Sequence, residues 1–439
     1  MEAIHSKLSS LDFIKKNISN LKFDRYSIGS CIALGGSSLL IIFLYRLGAA
    51  RIDKGQDPGL RDLGTYLLAG TNLLEGRNPY TDSNYRAGPS LLLFLGFLQK
   101  FFHGHTLAAA FQILIMLGVL VFGRYFSKIP ISSAFPIYLS ALFISATREN
   151  LVNIQITGLL LVLFTTGIKM TMVNKATLNS ILGCVLIGFA VDTKPHLFLL
   201  ASIYLLVTRK KFREIFFVFT SILFFHVVSS VKIGENISVM WLNTLLGIKQ
   251  IKNQGKLSEN LVVWPLIERL GISPRTTTYL SAIVVLLCVV ALFAFTKIKK
   301  DDELISLALA FVIPSFGFFF HYYDYVMVII LTLLIFHKHQ SRNLVYLFPF
   351  VLIPENILSP QNVLLVAGFI FLLYISKRNH SSDWQIYLHS FSLWLCFGFA
   401  TDIFTVNISL HILQMTILSL YLTFMLFKFK QGQVRKHAV

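Results

Sequence analysis

The sequence predicts an all-α, polytopic membrane protein of about 12–14 spans, and two observations carry that reading. The first is composition. Hydrophobic residues make up 55% of the 439-residue chain and charged residues only 14%, with a mean hydropathy of +0.68. A water-soluble domain carries about 25% charged residues because its surface needs them; here lipid replaces water around most of the surface. The second is the sorting of the few charges between the apolar segments. From about residue 130 onward, apolar hairpins follow one another, with basic connections at one end: Arg124 and Lys128, Lys169 and Lys175, Arg209 to Arg213, Lys297 to Lys300, Lys338 and Arg342, Lys377 and Arg378, and the tail from Lys428 to Lys436. At the other end stand lone acids: Glu149, Asp192, Glu235 with Glu259 and Glu268, Asp324, Glu355 and Asp402. Lys and Arg stay on the cytoplasmic side during insertion. The acidic tips, and any chemistry they carry, therefore face away from the cytoplasm.

The net charge of +18 does not point to nucleic acid, because the basic residues are scattered through short turns. Their pattern reads as topology and contact with anionic headgroups. Cys31, Cys184, Cys288 and Cys396 all lie inside apolar segments, without metal-ligand or disulfide spacing, and read as small packing residues. Residues 1–27 form a polar, basic prefix, too long and amphiphilic for a signal n-region. They read as a cytoplasmic N-terminal tail, 28–428 as one transmembrane domain and 429–439 as a cytoplasmic C-terminal tail.

A spanning helix needs about 20 apolar residues. Candidates are 28–48, 88–102, 106–123, 130–147, 151–169, 178–192, 194–208, 213–232, 277–296, 303–320, 322–337, 343–354, 361–376, 384–400 and 406–428. With Lys7, Lys15, Lys16, Lys22 and Arg25 inside, three full crossings before Arg124 would place Arg124 and Lys128 outside, against the charge pattern. A half-deep 88–102 segment removes the conflict. Two hydrophilic stretches, 49–87 and 233–276, fall on the external side, and loops this long are seldom idle connectors. In the first, Leu63, Tyr66, Leu67 and Leu74 give a partly apolar helical face between Asp62 and Gly76, and Asn78-Pro79-Tyr80 is a turn. This predicts a short helix along the membrane surface, with a carboxylate at its favourable N-terminal end. The second loop carries Trp241 and Trp264, which suit the interface.

An external site must be assembled from these loops and tips. Asp62 is one of several acids in the first loop, with Asp53, Asp57, Glu75 and Asp82, and a solvated cap is the bland alternative. No DxD is present, so no metal site and no cofactor are expected there. Lys194 stands with Asp192 and His196 where Pro195 forces a break between apolar segments. A charge at that depth is costly and reads as functional; the alternative is an Asp192–Lys194 pair that staples the hairpin. Arg86 suits a phosphate through its planar donor fork, or snorkels at the interface. Arg148, Asn153 and Gln155 crowd another tip, where sugar hydroxyls or inter-helix hydrogen bonds would satisfy them. His321, Tyr322 and Asp324 form a further tip; aromatic belts explain tyrosines but not the His and Asp beside them.

From Asp62 to Pro89 the chain reads D-x3-Y-x3-G-x3-L-x-G-x-N-P-Y, then Arg86-Ala87-Gly88-Pro89. This is similar to the first external loop of the integral-membrane GT-C glycosyltransferases. It most resembles the branch that uses polyprenol-phosphate-mannose, formerly classed as a domain of unknown function. That family's Gly-Gln-x-Asn hairpin is matched in part by Asn153-Ile154-Gln155-Ile156-Thr157, with Ile154 in place of the glycine and Thr157 in place of the asparagine. Its Lys-Pro element is matched by Lys194-Pro195-His196 before Arg209-Lys210-Lys211, and its Ser-Pro and His-Tyr tip by Pro314-Ser315, in reversed order, and His321-Tyr322. The likeness covers roughly residues 55–340, in order and on one side of the membrane.

The resemblance implies a GT-C fold and transfer of a hexose, mannose by likeness, from a polyprenyl-phosphate-sugar donor to a glycan or glycolipid acceptor. The site would face the external side of the cytoplasmic (inner) membrane. Asp62 would be the general base of an inverting transfer, with Asp57 as the alternative. Lys194, Arg86 and His196 would meet the donor phosphate; Arg148, Asn153, Gln155, His321, Tyr322 and Asp324 would meet sugar or acceptor. Three other readings remain as alternatives: an O-antigen-type polymerase or ligase, which concentrates arginines in large external loops; a transporter or flippase of lipid-linked sugars, which shows repeat symmetry and mid-membrane charges; and a structural subunit of a larger envelope complex, which predicts nothing about Asp62.

Overall fold

The computed structural model describes residues 61–80, 87–128, 150–151, 153–172, 178–251, 274–295, 303–316, 324 and 326–339, and these are mostly helical, with no strand among them. The spans expected over 28–48, 130–147, 343–354, 361–376, 384–400 and 406–428, and both tails, lie outside the described residues.

The first described element, α1 (Arg61–Leu74), carries Asp62 in its first turn. Leu63, Leu67 and Leu73 are buried on one face while Leu68 is exposed, as the amphipathic pattern predicts. The helix ends where Gly76 takes φ +75°. Gly76 N–H donates to Leu73 O at 3.1 Å and Arg77 N–H to Asn72 O at 2.8 Å, the paired bonds of a Schellman end that a glycine makes cheap. Asn78 Oδ1 then accepts from Tyr80 N–H at 2.9 Å, forming the expected turn.

Next comes α2 (Pro89–Gln99), only 11 residues, or about 16 Å at 1.5 Å per residue. That is about half the hydrocarbon thickness, the length a half-deep segment has. By contrast α3 (Gly104–Ser127) and, later, α7 (Phe212–Ile233) are long and apolar enough to cross a membrane. Between them lie α4 (Thr157–Thr171), α5 (Leu178–Thr193) and α6 (Pro195–Thr208). Lys194 alone separates α5 from α6, with φ −137° and ψ 76°. Pro195 sets this corner: the residue before a proline is pushed out of the helical region.

Helices meet on small residues. A Cβ on Gly70 of α1 would lie 2.8 Å from Gly96 N of α2; one on Gly118 of α3 would lie 2.5 Å from Gly158 O of α4; one on Gly167 of α4 would lie 2.7 Å from Gly183 O of α5. Such close backbone approach is the packing mode of helices in lipid, where burying apolar side chains gives little drive. Larger side chains fill the centre: Phe122, Phe126, Phe164, Phe198 and Phe311 form one aromatic cluster, in which Phe311 meets Phe122 and Phe198 edge-to-face.

Within the stretch read as the second external loop, the chain forms α8 (Ile237–Ile251). Gly234 ends α7 at φ +78°, and Asn236 Oδ1 accepts from the N–H groups of Ser238 and Val239 at 3.1 and 3.2 Å. A glycine stop and an asparagine cap therefore turn the start of that loop into a helix. Trp264 and the rest of the loop lie outside the described residues. The described chain continues with α9 (Pro274–Phe295), α10 (Glu303–Val312) and, after a short 3-10 turn, α11 (Val326–His339).

Candidate active site

Helix α6 gives the site its direction. Its basic end carries Arg209, which pairs with Glu303 at the start of α10. Its other end carries Lys194, about 21 Å away for a 14-residue helix. Around Lys194 the polar side chains gather.

Asp62 and Lys194 reach this region from distant parts of the sequence, and the Asn153–Thr157 segment stands between them. On one side, Gln155 Nε2 donates to Asp62 Oδ2, and Tyr66, one turn along α1, donates its hydroxyl to Gln155 Oε1 at 3.3 Å. On the other side, Thr157 at the start of α4 accepts from Lys194 Nζ at 3.4 Å. Lys194 Nζ also lies 2.8 Å from Asp324 Oδ1, and His196 Nε2 lies 3.5 Å from Asp324 Oδ2. Gln155, Thr157 and Asp324 are fully buried, and Asp62 is half-buried.

The turn that aims Gln155 is strained. Ile154 has φ +50°, a left-handed conformation that a β-branched residue rarely adopts. Gln155 N–H donates to Asn150 O at 2.8 Å and helps hold it. This is the position where the resembled pattern carries a glycine, the residue for which the conformation is free. Strain of this kind persists where the surroundings over-determine it, and sites are where it collects.

Lys194 and Asp192 do not form the local staple. Lys194 turns to Asp324, while Asp192 Oδ2 accepts from Ser90 N–H at 2.8 Å and Asp192 Oδ1 faces His226 Nε2 at 2.8 Å. Nearby, burial and then the Asp192 charge push the Tyr80 phenol well above its ordinary value. It stays a neutral donor and gives its hydroxyl to Ala87 O at 3.2 Å.

Of the residues expected at the site, the structure brings together Asp62, Gln155, Lys194, His196 and Asp324, and places Asn153 in the intervening turn. Asp57, Arg86, Arg148, His321 and Tyr322 lie outside the described residues. Ser90 and His226 were not singled out from the sequence, and Tyr66 was read there only as part of the helix's apolar face and motif. His226 left a signal there, an ionisable side chain inside the apolar run Phe224-Phe225-His226-Val227-Val228. Among the described residues no three His, Cys, Asp or Glu side chains cluster as a metal site would require.

A mostly helical, strongly apolar chain with two described helices long enough to cross a membrane has the build of a membrane protein. Residues 88–320 match glycosyltransferase family 87, more than half of the 439-residue chain, and the protein belongs to that family. It is a membrane glycosyltransferase, acting on a sugar donor and an acceptor. No curated protein and no solved structure matches the chain. The matched region contains Gln155, Lys194 and His196 and begins after Asp62.

Proposed function

We propose that this glycosyltransferase moves a hexose, mannose by its sequence likeness, from a polyprenyl-phosphate-sugar to a glycan or glycolipid acceptor at the external face of the cytoplasmic membrane. One observation carries the reading: Asp62 and Lys194 are joined through Gln155 and Thr157 of a single short segment. That shared segment supports assigning acid and cation to one site.

Their chemistry is complementary. The acceptor oxygen attacks C1 of the sugar, and Asp62 takes its proton. The bond from C1 to the phosphate oxygen breaks, and its electron pair leaves with the lipid phosphate. One displacement inverts C1. The departing phosphate gains negative charge, so a cation already in place lowers the barrier; Lys194 supplies it, and Arg86 and His196 are assigned to the same phosphate. Gln155 sets the Asp62 carboxylate through its N–H bond, and Asp324 holds Lys194 ready before the donor arrives. Arg148, Asn153, His321 and Tyr322 are assigned to sugar and acceptor.

The test is incubation of the purified full chain with radiolabelled polyprenyl-phosphate-mannose and a lipid extract. Label is expected to leave the donor and appear on an acceptor. Donor that binds but stays intact, with every acceptor fraction tried, overturns the transfer.

A further inference from the structure

A second buried polar chain runs beside Lys194. Asp192 of α5, His226 of α7 and Ser238 of α8 are linked in series: Asp192 Oδ1 to His226 Nε2 at 2.8 Å, and His226 Nδ1 to Ser238 Oγ at 2.7 Å. Asp192 and His226 are buried, and the Trp241 ring closes over the imidazole with centroids 5.3 Å apart. Burying these groups is costly unless every one is bonded, so the chain has a role that offsets that cost.

The connectivity is that of a nucleophilic serine relay, but the N–H groups of Ser238 and Val239 already donate to Asn236 Oδ1. A serine nucleophile needs such donors free for an oxyanion. The chain points inward instead. Asp192 Oδ2 accepts from Ser90 N–H, the second residue of α2. Gly88 at the N-cap has no side chain to satisfy that group, so Asp192 caps α2 from another helix. Gly88 also makes the room: a Cβ there would come within 2.6 Å of Asp192 Cγ. Thr193 Oγ1, between Asp192 and Lys194, lies 3.3 Å from Ser90 Oγ.

We infer that Asp192 and His226 are a positioning pair that fastens the α5–α6 corner to α2 and α8 and so aims Lys194 at the donor phosphate. The inference rests on the phosphate role proposed for Lys194. His226 is the member that acts at a distance. It touches neither substrate nor Lys194, but its Nε2 holds the carboxylate that caps α2 and anchors the corner. A displacement of about 1 Å at such a group costs up to about 10²-fold in rate, so the effect on transfer exceeds that of an ordinary lost hydrogen bond.

The test separates the two ring nitrogens. Glutamine places an amide nitrogen near Nε2 and keeps the bond to Asp192; asparagine places one near Nδ1 and keeps only the bond to Ser238. In purified full chain with polyprenyl-phosphate-mannose as donor, His226→Asn is expected to raise the donor KM about tenfold, with acceptor KM unchanged. His226→Gln, which loses only the Ser238 bond, is expected to raise donor KM about two- to threefold. Equal effects of the two variants, or a parallel shift of donor and acceptor KM, overturn the inference. Should His226→Asn not fold, Ser238→Ala carries the test, since it removes one bond at the half-buried end of the chain. It is expected to raise donor KM about two- to threefold, and an unchanged value overturns the inference. Lys194→Ala is measured alongside. If it leaves donor binding unaltered, the phosphate role of Lys194 falls, whatever His226 does.

Discussion

Helix α6 carries an ion pair at each end to the same later part of the chain, and the two pairs differ in kind. At the basic end, Arg209 and Glu303 have side chains 31% and 26% exposed. At the other end, Lys194 and Asp324 have side chains 9% and 1% exposed. A wet pair contributes little, about 0–1 kcal/mol. A dry pair loses hydration that mutual attraction barely repays. Proteins rarely keep such a pair for stability alone, and the dry one stands where the site residues gather. The comparison teaches that burial, not charge, separates the end of the proposed site from the clamp.

That contrast breaks most visibly at Asp324. Asp324→Asn leaves the Lys194 ammonium buried without its counter-charge and is expected to destabilise the protein by about 3–5 kcal/mol, read from denaturation in detergent. Replacing both partners, Lys194→Met with Asp324→Leu, is expected to recover most of that stability while donor binding stays lost. Recovery of donor binding as well would show that the pair is scaffold. At the wet end, Arg209→Gln is expected to cost at most about 1 kcal/mol, with transfer per molecule unchanged; a large loss of transfer there would erase the contrast.

The smallest effect concerns pH. Tyr80 is held neutral by burial and then by Asp192, so its folded value lies above its unfolded one. Stability resting on it is complete below the ordinary phenol value of about 10 and is lost as pH rises from there through the folded value. Tyr80→Phe is expected to flatten this alkaline arm of the denaturation midpoint and leave neutral pH almost unaffected.

Local features of this architecture were legible in the sequence. The helix from Asp62 to Gly76 followed from its apolar face and glycine stop, and the α5–α6 corner from Pro195. Helix α8 was not read, because the long hydrophilic stretch masked the Gly234 stop and Asn236 cap. Partnerships were the least legible. Asp62 with Gln155 and Lys194 with Asp324 join residues 93 and 130 positions apart, and no periodicity encodes such a pairing. The local Asp192–Lys194 staple looked natural because the residues are adjacent, yet each finds a better partner once α7 and the Asp324 turn pack beside it. His226 escaped notice because a lone histidine in an apolar helix shows its purpose only when its two neighbours are seen.

The most direct test of the proposed mechanism is transfer by Asp62→Asn set against Asp57→Asn, in purified protein with labelled donor. Asparagine keeps the size of the side chain and an oxygen that accepts from Gln155, but it accepts no proton at neutral pH. Asp62→Asn is expected to lose about 10²–10⁴-fold in transfer while keeping donor binding, and Asp57→Asn to lose far less. Normal transfer by Asp62→Asn would contradict its role as base, and normal transfer by both variants would remove the general-base mechanism altogether.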